Sequence, residues 1–372
     1  MKDQLDWSSK HSTVVFNPAV RLDENTEQLP SMAEGHVWLA TSGTTQGRRK
    51  WVGLSKAALL ASAEAVNRHL RASASDIWLN PLPVFHVGGL GILARAGLTG
   101  SEVHASGPWA PENFVDALKR HRATLTALVP TQVYDLVAGE FQAPSDLRAV
   151  VVGGGALSPT LYFKARKLGW PLLPSYGLSE CSSQVATAAL SSLETHEPHL
   201  EILDHVRGRC DSDGRLQLRS LGLLSFYAEW DGRWRLHDPK SEGWFTTEDL
   251  ARIDGSRLTP LGRVTDQVKI LGELVNLAAL NFVAEKIKND ERLEGDVCLI
   301  AHRDERAGYQ LDLVTAGMEY RVAERVKRIF NDRVAPFERS TNVYCLRKLP
   351  RTELGKIKKA HLLELLGLQE LS

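Results

Sequence analysis

Much that would place or classify this 372-residue chain at once is missing from it. The four cysteines, Cys181, Cys210, Cys298 and Cys345, lie far apart and show no metal-ligand spacing. Free thiols in a reducing compartment are therefore expected, not a disulfide framework or a zinc site. No apolar run is long enough to span a bilayer. The opening residues, MKDQLDWSSKH, are polar and mixed in charge, which does not fit a signal peptide. Net charge is absent too, with 45 basic residues against 45 acidic ones, so no bulk field draws the chain to nucleic acid or an anionic membrane. There is no G-x-S-x-G elbow, no internal repeat, no low-complexity tract and no RNA-binding aromatic pattern. A soluble cytoplasmic protein is the expectation. Its 43% hydrophobic content supports a sizeable core and more than one domain.

What is present begins with LATSGTTQGRRKWVGLS, residues 39–55. Val37 to Ala40 read as the end of a buried strand, and a loop is expected behind it. Thr41, Ser42, Thr44 and Thr45 supply hydroxyls, Gly43 and Gly47 let backbone N–H groups approach, and Arg48, Arg49 and Lys50 supply positive charge. Such a loop suits polyphosphate, although a basic surface loop has the same composition. It lacks the GK[ST] ending of a Walker loop, and no helix starts directly behind it. Ser55 to Arg71 reads as a helix with Ser55 as cap, and Ile77 to Pro81 as a short strand. The run LPVFHVGGLGILARAG, 82–97, reads as a glycine-rich turn feeding an apolar helix, with Phe85 and His86 at its mouth and Arg95 about two turns on. His86 is either a partly buried structural residue or a pocket residue. Arg95 either points to solvent or, in an apolar pocket, needs an anionic partner.

Further along, Asn113 to His121 looks helical, and Leu125 to Val129 and Leu147 to Val152 read as strands. Ser158 and Pro159 fit the cap and first position of another helix. An alternating stretch from Gly208 to Phe226 reads as a hairpin turning at Asp213-Gly214. After residue 264 the pattern becomes a small α/β domain. Helices are expected over Leu277 to Lys288 and Tyr320 to Asp332, and strands over Val297 to Ala301, Leu311 to Thr315 and Asn342 to Leu346.

Taken together, six segments resemble, in order, the motifs of the adenylate-forming superfamily of acyl- and aryl-CoA ligases, luciferases and peptide-synthetase adenylation domains. Thr41 to Lys50 resembles its T-S-G-T-T-G-x-P-K loop, with Gln46 as an insertion and Arg49 where proline is usual. GGGALSP, 153–159, is similar to G-G-A-P-L-S, and YGLSE, 176–180, to Y-G-x-T-E. GWFTTEDL, 243–250, is similar to G-W-F-x-T-G-D-L, with Glu248 in place of glycine, a substitution that could disturb a local turn. GRVTDQVKILGE, 262–273, resembles G-R-x-x-D-x-I-K-x-x-G-E, and PRTELGKI, 350–357, resembles P-R-T-x-x-G-K-I. Within the superfamily, F-H-x-x-G-x-G-I-x-x-R is similar to o-succinylbenzoate–CoA ligases of menaquinone biosynthesis, matched by Phe85, His86, Gly89, Gly91, Ile92 and Arg95.

The resemblance implies an α/β fold: a large layered AMP-binding domain over 1–263 and a small, mobile α+β domain over 264–372. In full-length relatives the phosphate loop lies deeper in the chain, so the N-terminal subdomain here is shortened; an apolar face left there would favour a homodimer. For ATP and AMP it implies Thr41, Ser42, Gly43, Thr44, Thr45, Lys50, Gly154, Gly155, Tyr176, Ser179, Asp249 and Arg263. Glu180 would hold Mg²⁺, with His86, Arg95 and Gly177 at the acid and Lys356 and His86 in catalysis. A hinge is expected near Thr265, where the family carries Asp or Lys. The implied reaction is adenylation of a carboxylate, with o-succinylbenzoate preferred, followed by transfer to CoA. A ligase for another aromatic or medium-chain acid, or a non-catalytic nucleotide binder, are the alternatives.

Overall fold

The computed structural model describes residues 5–18, 25–45, 48–195, 198–304, 306–351 and 357–368, with backbone alone at residues 30, 41–45, 48–49 and 265. The chain forms two compact units. The larger comprises residues 1–211, 216–247 and 253–259, and the smaller 212–215, 248–252 and 260–372.

In the larger unit a parallel sheet runs in the order Glu102–Ala105, Ile77–Asn80, Leu125–Leu128, Ala149–Val152, Leu172–Leu178. Strands Leu125–Leu128 and Ala149–Val152 are buried at every position, as a sheet covered on both faces requires. Helices Val87–Thr99, Pro111–His121, Pro130–Ala138 and Pro159–Lys167 connect these strands. Two cores flank the sheet, one around Phe114, Trp170 and Leu172, the other around Val66, Trp78 and Ile92. At Leu172–Leu178 the pairing changes: its other neighbour, Ser183–Ala188, is antiparallel. The sheet continues through Leu200–Ile202 and on to the hairpin Val206–Cys210 with Arg215–Ser220, which turns through Gly214 at φ 79°.

A second sheet has the order Thr13–Val15, His36–Thr45, Arg48–Ser55, Phe226–Trp230, Trp234–His237. Its core is Leu29, Trp38, Trp51 and Ala228. Gly53 is required where the Trp38 ring crosses the hairpin, because a Cβ there would lie 2.6 Å from the ring. Helix Lys56–Leu70 follows, and Ser55 Oγ accepts from the Ala58 N–H at 3.0 Å as expected of its cap.

The smaller unit pairs Asp296–Asp304 antiparallel with Gly308–Ala316, which runs parallel to Ser340–Leu346. Helices Leu277–Asp290 and Tyr320–Arg333 share one core with this sheet through Leu280, Ile287, Val326 and Phe330. Asn276 caps the first, its Oδ1 accepting from the Ala278 and Ala279 N–H groups.

Two local expectations are corrected. The hydroxyl-rich segment is not an open loop: Thr41 to Thr45 continue the strand, with Thr44 paired to Arg49 and Thr45 to Arg48 after a register shift beyond Ala40. β-Branched threonines favour such extended backbone. Glu248 disturbs no turn, since it lies within the strand Trp244–Asp254, exposed between buried Thr247 and half-buried Asp249.

Candidate active site

The strand-and-turn at Leu172–Cys181 carries Tyr176, Gly177, Ser179 and Glu180. The register of the antiparallel pairing shifts between Tyr176 and Gly177, with Tyr176 opposite Ala186 and Gly177 opposite Gln184. A Cβ on Gly177 would sit 1.9 Å from the Ser183 carbonyl oxygen, so only glycine allows the strands this approach. Ser182 and Ser183, at φ 54° and 121°, turn the chain back through conformations that side chains rarely adopt. Ser179 and Glu180 open the short 3₁₀ turn between them. Beside this strand, Gly154 has φ 80°, and Gly153 packs toward the Ser175 carbonyl. Gly154 and Gly155 are exposed, leaving bare backbone available to a planar ring.

The hairpin strand Arg48–Ser55 brings Lys50 to the same region. Lys50 pairs in register with Glu229, and its Nζ lies 3.6 Å from the centroid of the Tyr227 ring. The Tyr227 hydroxyl donates to Glu180 Oε1 at 2.9 Å. Tyr227 was not among the residues expected from sequence. It lies in an alternating strand without a motif letter of its own, and only cross-strand placement reveals it. Backbone at Thr41, Ser42, Gly43, Thr44 and Thr45 forms the adjoining arm, while Gln46 and Gly47 lie outside the described residues.

The helix Val87–Thr99 carries the third group. His86 stands at its N-cap position, half-buried, with its ring 4.8 Å from that of Phe85. Arg95 is 2% exposed, and its Nε has no hydrogen-bond partner among the described residues. It forms no ion pair among the described residues; the aromatic face of Trp78, at 5.7 Å, is its only cation–π contact. Burial alone pushes the guanidinium down to about 10. A long helical side chain leans toward the N-terminus, and Gly91, one turn earlier, makes the room: a Cβ there would lie 3.1 Å from Arg95 Nη2 and 3.8 Å from Ser183 Cβ. Arg95, Ser183 and Gly177 thus adjoin, and the helix end and the Tyr176 strand line one site.

In the smaller unit, Arg263 Nε meets Asp249 Oδ1 at 3.0 Å, pairing the two residues expected at a ribose. Thr265 lies in the 3₁₀ turn Val264–Asp266, and Asp266 is ion-paired with Lys359. Arg351 bridges backbone with Ile357 and pairs with Asp296 at 2.9 Å. Lys356, between them, lies outside the described residues.

Among the described residues no cluster of three or more His, Cys, Asp or Glu could hold a metal. Glu180 offers a hard carboxylate carrying one hydrogen bond, which fits Mg²⁺, an ion that commonly takes one or two carboxylates together with phosphate oxygens and water.

An open α/β sheet with bare glycine backbone and an aromatic residue at its strand ends, flanked by a basic hairpin, defines an adenylate-forming fold. Residues 3–207 match the family described as AMP-binding enzyme, and the chain belongs to that family. It is 24% identical over 359 residues to a 2-succinylbenzoate–CoA ligase of Staphylococcus epidermidis, covering 92% of this chain and 73% of the relative. To an indoleacetate–CoA ligase of Aromatoleum aromaticum it is 28% identical over 338 residues, covering 86% and 65% respectively. Among solved structures, the o-succinylbenzoate CoA synthetase MenE of Bacillus subtilis with the acyl-adenylate OSB-AMP superposes at a TM-score of 0.75, with 22% identity over 88% of this chain and 68% of that one. The same enzyme with ATP and magnesium gives 0.74, at 22% identity over 88% and 69%.

Proposed function

We propose that the protein is an ATP-dependent, AMP-forming acid–CoA ligase, and that its acid is a dicarboxylate, o-succinylbenzoate. The observation that carries the substrate is Arg95: a buried guanidinium with no ion pair among the described residues. A cation so placed is costly unless an anion joins it. The acid's second carboxylate supplies that anion, while the first is left to react.

The reacting carboxylate attacks the α-phosphate of ATP, pyrophosphate leaves, and an acyl-AMP remains. The CoA thiol then displaces AMP. In this reading Tyr176 and the Gly154-Gly155 backbone hold adenine, Ser179 and the Thr41–Thr45 arm hold phosphate oxygens, and Lys50 neutralises them. Asp249 accepts from the ribose hydroxyls beside Arg263. His86 borders the carboxylate, and Lys356 meets the charge that builds between carboxylate and α-phosphate. Mg²⁺ held by Glu180 would neutralise phosphate charge. Residues 264–372 serve as the mobile domain, hinged near Thr265. We take the reaction to run in the cytoplasm, where ATP and CoA are at hand. No helix among the described residues is long and apolar enough to cross a membrane.

The test is pyrophosphate release with Mg-ATP and o-succinylbenzoate, with and without CoA, beside benzoate, indoleacetate and octanoate, and with Lys356→Ala. Release confined to the dicarboxylate and strongly reduced in the variant is the expected result. Turnover of a monocarboxylate instead would keep the ligase and remove the role of Arg95. Silence with every acid in a protein that binds ATP would leave a nucleotide-binding protein without turnover.

A further inference from the structure

We propose that Tyr227 is a positioning residue for the magnesium nucleotide, holding the Glu180 carboxylate and the Lys50 ammonium in place before the ligand arrives. The inference rests on reading Glu180 as the metal carboxylate and Lys50 as a phosphate cation.

Tyr227 is 8% exposed and stands opposite Val52 in the strand Phe226–Trp230. Lys50 and Val52 share one face of their strand, so Lys50 meets Tyr227 diagonally across the pair. The ammonium lies 3.6 Å from the ring centroid, a cation–π distance. At the other end of the same ring the hydroxyl donates 2.9 Å to Glu180 Oε1. Hydrogen bonds to a charged acceptor are the stronger kind, and a single one leaves the carboxylate with acceptor capacity on both oxygens.

The surrounding backbone fixes the geometry. The Leu224 N–H donates to the Glu180 carbonyl at 2.7 Å, and the Ser225 N–H to the Gly53 carbonyl at 2.8 Å. Lys240 Nζ in turn donates to the Leu224 carbonyl at 2.7 Å. Residues 224–227 are therefore tied to the Glu180 turn on one side and to the Lys50 strand on the other. One neutral side chain thus contacts both head groups, while Glu229 Oε1 lies 3.9 Å from Lys50 Nζ, so each is oriented before its ligand arrives. A group that hydrogen-bonds a metal's ligand tunes the site through the ligand it orients.

The test is calorimetric titration of the full chain with ATP across a Mg²⁺ series, without acid or CoA. Tyr227→Phe keeps the ring over Lys50 and removes the hydroxyl. Its Mg²⁺ half-saturation should rise about tenfold, the scale of losing a hydrogen bond to a metal ligand, with the melting temperature held. Glu180→Gln should raise it further. Tyr227→Met, a second hydroxyl-free variant, decides the matter if the phenylalanine variant does not fold. A wild-type Mg²⁺ dependence in the hydroxyl-free variant beside a shifted Glu180→Gln would overturn the proposal and leave the functional reading standing. No shift in either variant would remove Glu180 from the metal, and both would fall. A wild-type chain that binds no ATP would likewise end both.

Discussion

A guanidinium that is 2% exposed usually carries a carboxylate with it; Arg95 has the room made by Gly91 and the face of the Trp78 ring instead. Without substrate, that charge opposes folding. Replacing even a buried ion pair by apolar side chains of similar volume is often neutral or stabilising, and an unpaired charge recovers less of its desolvation cost than a pair does. Arg95→Met should therefore raise the unfolding free energy by about 1–4 kcal/mol in the absence of ligand. Urea unfolding measures this. The same variant should lose the stabilisation that o-succinylbenzoate gives the wild type, because binding no longer neutralises anything. An Arg95→Met protein that is less stable, yet still stabilised by the acid, would contradict both points. At this scale the motifs are what single out Tyr176 and Glu180 in the sequence. It left Arg95 between solvent and pocket, since helical spacing does not say what covers a helix face. It was silent on Tyr227, whose importance comes from two residues far away in the chain.

The strand Val206–Cys210 is entered through Asp204 and His205, and this entrance is tied to helix Lys56–Leu70 by Arg68, which donates to both Asp204 oxygens at 2.8 and 3.0 Å. Neither ring nitrogen of His205 has a hydrogen-bond partner among the described residues. Burial pushes the imidazole down from 6.5 to about 4, with Asp204 opposing and Arg68 adding to the shift. The folded chain resists the proton that the unfolded chain accepts at the ordinary value. Stability is thus unaffected above 6.5 and falls as pH drops from there toward 4. His205→Asn should flatten that part of the profile, read as urea midpoints at neutral pH and near pH 5. An unchanged slope would mean that His205 titrates normally. Elements themselves were legible from apolar spacing and caps: the helix behind Ser55, the cap at Ser158 and the hairpin at Gly214 stand where the pattern put them. The hydroxyl run at Thr41–Thr45 was misjudged because its composition is that of a loop, while its partner Arg48–Arg49 pairs it as a strand. Helix Pro130–Ala138, directly behind the strand Leu125–Leu128, was not read from the sequence.

At the scale of the whole chain, the smaller unit begins in earnest at residue 260, next to the turn Val264–Asp266. Asp266 is tied to Lys359 within that unit, so the hinge proposed near Thr265 would turn on the Val264 side. Proline at 265 would fix its φ and push Val264 away from helical geometry. If this is the hinge, Thr265→Pro should keep ATP–pyrophosphate exchange within a few-fold while acyl-CoA formation falls by roughly tenfold or more, the mark of a gating position. Equal loss of both half-reactions would place the hinge elsewhere. The six ordered motifs made the overall plan readable, but not the pairing of the phosphate hairpin with Phe226–Trp230, which no local pattern encodes.

That pairing also sets an order of assembly on the ribosome. The parallel strands from Ile77–Asn80 to Leu172–Leu178 lie in one continuous stretch of chain, joined by their own helices, and can close as they emerge. The hairpin made first must wait, because the edge of Arg48–Ser55 finds its neighbour only once Phe226–Trp230 has been synthesised. Until then it is an open strand edge, the template on which nascent chains join one another. The same late strand that brings Tyr227 to Glu180 and Lys50 covers the edge of Arg48–Ser55, so the proposed nucleotide site is completed by the pairing that ends this exposure.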